Sequence, residues 1–117
     1  MKKLYLLLAL VGILMPASLV RAQQLAFPGA DGYGKHTTGG RGGEVCYVTR
    51  TDDCSDNDLV EGTLRWALRH DNGGKPRTIL FATSGTIYLT SKLKMHYPDV
   101  SILGQTAPGG GVTITGF

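Results

Sequence analysis

From Thr78 onward the chain is a ladder of strands too short for ordinary hairpins. The runs "TILF" (78–81), "TIYL" (86–89), "LKM" (93–95), "VSIL" (100–103) and "VTIT" (112–115) hold three or four residues each, with Ser-Gly, Ser-Lys, Pro-Asp and Pro-Gly-Gly-Gly turns between them. Three successive steps along this ladder carry the chain from Thr78 to Val100, or from Thr86 to Val112. Very short strands with sharp bends, recurring after about 20–30 residues, predict the coils of a parallel β-solenoid. An antiparallel sandwich or barrel is the alternative, and its strands are usually longer.

A solenoid exposes apolar core and unpaired backbone at its first coil and therefore needs a cap. "GTLRWALRHD" (62–71) supplies one. Thr63 reads as the N-cap, Leu64, Ala67 and Leu68 fall at i, i+3 and i+4, and Asn72-Gly73-Gly74 stops the helix. Two turns of helix are not stable alone in water, so this segment must lie on something larger, with Leu64, Leu68 and Trp66 packing. Upstream, "EVCYVTR" (44–50) alternates as a strand, with Val45, Tyr47 and Thr49 on one face. Before it, the glycine-rich "FPGADGYGKHTTGGRGG" (27–43) reads as a tightly turning segment with close backbone approaches.

The segment 1–22 stands apart. Lys2 and Lys3 precede an apolar run from Leu4 to Met15, and small residues follow at Val20-Arg21-Ala22. This is the layout of a secretory signal peptide, 1–22, cleaved between Ala22 and Gln23, and the run is too short to span a bilayer. The expected mature chain is 23–117, exported to the periplasm or the extracellular medium, without a membrane anchor. The formal charge of +3 comes from Lys2, Lys3 and Arg21, so the mature part is balanced and offers no basic footprint for nucleic acid. Cys46 and Cys54, in an exported chain, read as one disulfide worth about 2–3 kcal/mol. Two unpaired thiols, or a zinc site, are the alternatives.

Tests for chemistry return little. Gly39–Gly43 lacks the Lys of a phosphate loop, and Gly32-Tyr-Gly34 lacks the third glycine of a dinucleotide fold. Asp52, Asp53, Asp56, Asp58 and Glu61 form an acidic loop whose spacing does not fit an EF-hand; a solvated turn is the first reading and a calcium site the second. Asp71 and Asp99 sit at turns, where Asp is expected. Arg77 could meet an acidic substrate, a surface arginine being the simpler reading. His36, His70 and His96 show no ligand spacing. No catalytic, cofactor-binding or metal residue is assigned.

Taken together, "FPGADGYGKHTTGGRGGEVCYVT", "GTLRWALRHDNGGKPRTILFATSGTIYL" and "VSILGQTAPGGGVTITGF" resemble the amino-terminal part of secreted bacterial pectate lyases of the parallel β-helix superfamily. The resemblance covers Leu25 to Phe117. It implies an all-β, right-handed parallel β-helix with an N-terminal capping helix and the first one to two coils. It also implies calcium-dependent β-elimination of polygalacturonate, an acidic polysaccharide, by the full-length protein. In such enzymes calcium bridges protein carboxylates and the substrate uronate, and an Arg is the base. The family's calcium-binding Asp cluster and catalytic Arg match no position here, so the expectation is a truncated chain without the active site, and a monomer if complete. A non-catalytic β-helix module for acidic polysaccharide or surface adhesion, and a small disulfide-bonded structural protein, are the alternatives.

Overall fold

The computed structural model describes residues 23–117; the expected signal peptide lies outside them. The strands are β1 (Glu44–Val48), β2 (Arg77–Phe81), β3 (Gly85–Leu89), β4 (Val100–Leu103) and β5 (Val112–Gly116). Among the described residues one helix, α1 (Leu64–Arg69), lies between β1 and β2, and a single 3-10 turn, Gly104–Thr106, follows β4.

Every pairing between these strands is parallel. One sheet has the order β1-β2-β4 and the other pairs β3 with β5. The chain therefore visits the two sheets in turn, β2 then β3, β4 then β5, and lays each new strand on its predecessor. Thr78 stands opposite Ser101, and Thr86 opposite Thr113. Each advance is one residue longer than the interval between strand starts in the sequence, which points to Val100 and Val112 instead. Parallel pairing excludes the antiparallel sandwich, whose neighbouring strands run in opposite directions.

Alternation along the strands sets the core. Cys46 and Val48 of β1, Ile79 and Phe81 of β2, and Ile87 of β3 turn inward and are buried with Leu64, Ala67 and Leu68 of α1. Cys46 stands opposite Ile79 and Val48 opposite Phe81, so the inward side chains form columns across the sheet. Fully burying an Ile contributes about 1.5–3 kcal/mol, and Ile79 and Ile87 are both essentially inaccessible. The other face of β1, with Val45 and Tyr47, is about half exposed.

The helix forms where it is expected. The Thr63 hydroxyl accepts from the Trp66 amide at 3.2 Å and donates to the Val60 carbonyl at 2.7 Å, closing the N-terminus. Two glycines of the upstream segment are there for close approach. A Cβ on Gly40 would collide with the Arg77 carbonyl, and one on Gly43 with that of Pro76, just where β2 begins.

One expected strand is absent from the described residues. Leu93–Met95 forms no strand. The carbonyls just before it, Ser91 and Lys92, accept from the Arg65 guanidinium at 2.9 and 3.3 Å, which turns this backbone toward a side chain instead of a ladder. Cys46 and Cys54, the pair expected to form a disulfide, stand unbonded in this structure. Cys46 faces the core beside His70 at the end of α1, whereas the Cys54 sulfur rests 3.2 Å from Thr63 Oγ1 at the helix start. The two sulfurs lie against opposite ends of the helix.

Candidate functional site

The polar chemistry of the described residues gathers around α1, and two buried arginines organise it. Arg65 is fully buried. It donates from Nε and Nη2 to the two Asp53 oxygens at 2.8 and 2.7 Å, and from Nη1 to Asp56 at 2.8 Å. Asp53 also accepts from the Thr90 amide and hydroxyl at 2.9 and 3.0 Å. Arg65 first, and Thr90 after it, hold the Asp53 carboxyl well below the usual carboxylate range, against the opposing effect of burial. Asp56 is shared with Arg69, and Asp52 pairs with Arg50 at the surface.

Calcium needs several free oxygen donors. The acidic loop does not fit it, because Asp52, Asp53 and Asp56 are each committed to a guanidinium. Asp53 and Asp56 neutralise the buried Arg65.

Arg77 plays a different part from the one its sequence position suggests. It is buried, not a surface residue facing substrate. Nη1 donates to the Ala67 carbonyl and Nη2 to that of His70, both at 2.9 Å. Its charge thus satisfies carbonyls left open at the helix C-terminus, where a cation is favoured. The guanidinium also lies 4.8 Å from the centre of the Tyr97 ring.

Beside this end of α1, the structure brings together three residues that sequence spacing kept apart. Glu44 and Cys46 share one face of β1, and His70 closes the helix above them. Their ligand atoms lie within 4.8 Å of one another. His70 Nε2 is 3.2 Å from Glu44 Oε2, and its ring stacks on Trp66 at 4.1 Å with an angle of 11°. Burial, and then the Glu44 charge, push the Cys46 thiol up. The Asn72 amide first, and His70 after it, hold the Glu44 carboxyl below its ordinary value. An open cleft of about 560 Å³ adjoins the group, lined also by Asp71, Asn72 and Lys75. The only legible hint of this group was Glu44 and Cys46 at i, i+2 on a strand.

The remaining candidates do not join the group's ligand atoms. Asp71 accepts from the Gly73 amide in a turn, Asp99 accepts from the Thr38 hydroxyl, and His36 and His96 are exposed. Among the described residues no helix is long and apolar enough to cross a membrane.

Among the described residues, parallel strands laid successively on two sheets, with one short helix packed in their core and no closed barrel, define the class: a parallel-strand, mostly-β protein. The family comes from the sequences it matches. It is 40% identical over 116 residues to "Probable pectate lyase C" of Emericella nidulans, which covers 99% of this chain and 24% of the relative. The protein of the same name from Aspergillus terreus is 38% identical over 110 residues, 94% of this chain and 23% of the relative. "Pectate lyase" of Lilium longiflorum is 39% identical over 85 residues, 73% of this chain and 18% of the relative. No family model matches. Along almost its whole length the chain is similar to a fragment of pectate lyases, and it spans about a quarter of the length of the first curated relatives it matches.

Proposed function

We propose that this chain is the capping end and first coils of a right-handed parallel β-helix, in a secreted pectate lyase that cleaves polygalacturonate by calcium-dependent β-elimination. The observation that carries the reading is identity near 40% to pectate lyases along almost the whole chain. The repeating parallel register supports the β-helix part of it. Residues 1–22 act as the signal peptide, removed between Ala22 and Gln23, and 23–117 enter the extracellular or periplasmic protein, which works as a monomer.

Within that protein the role of this segment is structural. Arg65, Arg77 and the core face of α1 seal the first coil, and the acidic loop is spent on Arg65 and Arg69. The carboxylates that hold calcium and the arginine base lie in other coils.

The test is an assay on polygalacturonate, following unsaturated product, with calcium and with chelator. The product of the native gene, read through the codon for Phe117, is expected to cleave with calcium and stop with chelator. The 117-residue chain alone is expected to release no product. A native product that binds polygalacturonate without cleaving it would make the protein a non-catalytic binding module instead, and one that does neither would overturn the reading.

A further inference from the structure

We propose that Glu44, Cys46 and His70 form a binding site for a soft divalent cation of the zinc type. The site is independent of the lyase reading and of the calcium that reading invokes.

A backbone carbonyl selects the His70 tautomer. Its Nδ1 lies 2.8 Å from the Trp66 carbonyl oxygen, which can only accept, so Nδ1 carries a hydrogen. Stacking on Trp66 fixes the ring plane. Nε2 is thereby aimed at Glu44 Oε2, 3.2 Å away. Only a second proton or a cation satisfies an imidazole nitrogen so close to a carboxylate. An Nδ1–H bonded to a backbone carbonyl is the usual support for a histidine that ligates through Nε2.

Cys46 makes the cation the better occupant. Its sulfur is delivered to the same spot because residues two apart on a strand share a face. For zinc, with bonds of about 2.0–2.3 Å to N, O and S, tetrahedral ligands stand about 3.3–3.7 Å apart. The Glu44–His70 separation is already close to this, and the whole group lies within 4.8 Å. Closing the remainder falls to Glu44, whose side chain is 40% exposed, while the Cys46 backbone stays in its ladder.

A thiolate and a carboxylate would balance a dication, and the thiol proton would leave to solvent on binding. The opposing charge is Arg77, with Nη1 3.4 Å from His70 Nδ1, but its guanidinium is engaged by the Ala67 and His70 carbonyls. The adjoining cleft leaves a fourth position open to water. Asn72 lines that cleft, and its Oδ1 is buried without a hydrogen-bond partner. A water on the ion would supply the donor it lacks. Sulfur and imidazole nitrogen suit zinc and its neighbours and not calcium, which takes oxygen ligands.

Cobalt(II) is the probe, titrated into the reduced full chain. One equivalent is expected to bind with a sulfur-to-cobalt charge-transfer band, displaced by zinc and unaffected by calcium. Glu44→Gln, nearly isosteric and partly exposed, is expected to weaken binding about tenfold or more. Cys54→Ser should keep the band and Cys46→Ser should abolish it. Circular dichroism of each variant checks that the fold is intact. No saturable cobalt binding, a band that survives Cys46→Ser, or unchanged affinity in folded Glu44→Gln overturns the proposal.

Discussion

Arg65 and Asp53 meet through two parallel hydrogen bonds of 2.8 and 2.7 Å, with both side chains almost completely shielded from water. Breaking a buried pair by removing one partner costs about 3–5 kcal/mol, because the other charge is left uncompensated. Asp53→Asn is expected to destabilise toward the low end of that range, since Asp56 still touches Arg65. Urea unfolding of wild type and variant measures it. The exposed pair Arg50–Asp52 is the control, and Arg50→Ala should leave the midpoint unchanged.

The same pair gives the protein an acid limit. Arg65 depresses the Asp53 carboxyl in the folded state, so its contribution is fully present above the unfolded value of about 3.9. It is lost as pH falls from there toward the lower folded value. Melting temperature should therefore decline below about pH 4, and decline less steeply in Asp53→Asn. Parallel slopes in the two proteins would remove Asp53 as the cause.

Arg77 holds the end of α1. Arg77→Met keeps the length of the stem but gives up the donors to Ala67 and His70. Each hydrogen bond to a charged group contributes about 1.5–3 kcal/mol, so a loss of at least about 2 kcal/mol is expected. Helix amide exchange should accelerate from Ala67 onward before it does in β2. An unchanged exchange profile would mean that the helix end is held by other contacts.

Gly40 and Gly110 form a matched pair. A methyl on Gly40 meets the Arg77 carbonyl, whereas one on Gly110 meets nothing within 4 Å. Gly110→Ala should be neutral or stabilising by up to about 1 kcal/mol, through a less flexible unfolded chain. Gly40→Ala should destabilise by more than that, because the clash is with backbone. Thermal melts of the two variants side by side decide it.

The thiols make a further prediction. Cys46 is 2% exposed and Cys54 only partly covered. Alkylation of native protein without reductant should label Cys54 first, and Cys46 only on unfolding. If neither is labelled after unfolding, the two are joined.

Much of the strand ladder was legible in the sequence because strands this short announce themselves by β-branched runs and punctuating turns. The strand starts point to Thr78 beside Val100, and the ladder sets Thr78 one residue further on, against Ser101. The helix was legible because Thr63 and the spacing of Leu64, Ala67 and Leu68 are local signals. What stayed hidden depends on contacts between distant parts. Nothing near Arg65 in sequence says that Asp53 and the carbonyls of Ser91 and Lys92 converge on it, and that convergence is what unmade the strand expected at Leu93–Met95. Arg77 reads as a surface residue until the helix end is placed above it. Glu44 and His70 are far apart in the chain, and a helix must fold back across β1 before they meet.

The passage from β2 to β3 runs from Phe81 to Gly85, but that from β4 to β5 runs from Leu103 to Val112, yet both strand pairs remain in parallel register. Slack is thus taken up at the bends, and the walls never feel it. Strands stacked this way behave like steps whose landings can be widened one at a time. An insertion beside Pro108 alters one landing and leaves every step above and below in line, whereas a single residue added inside Thr78–Leu80 turns the following side chains to the wrong face. Variation between relatives should therefore collect at the bends, and the walls should stay constant in length.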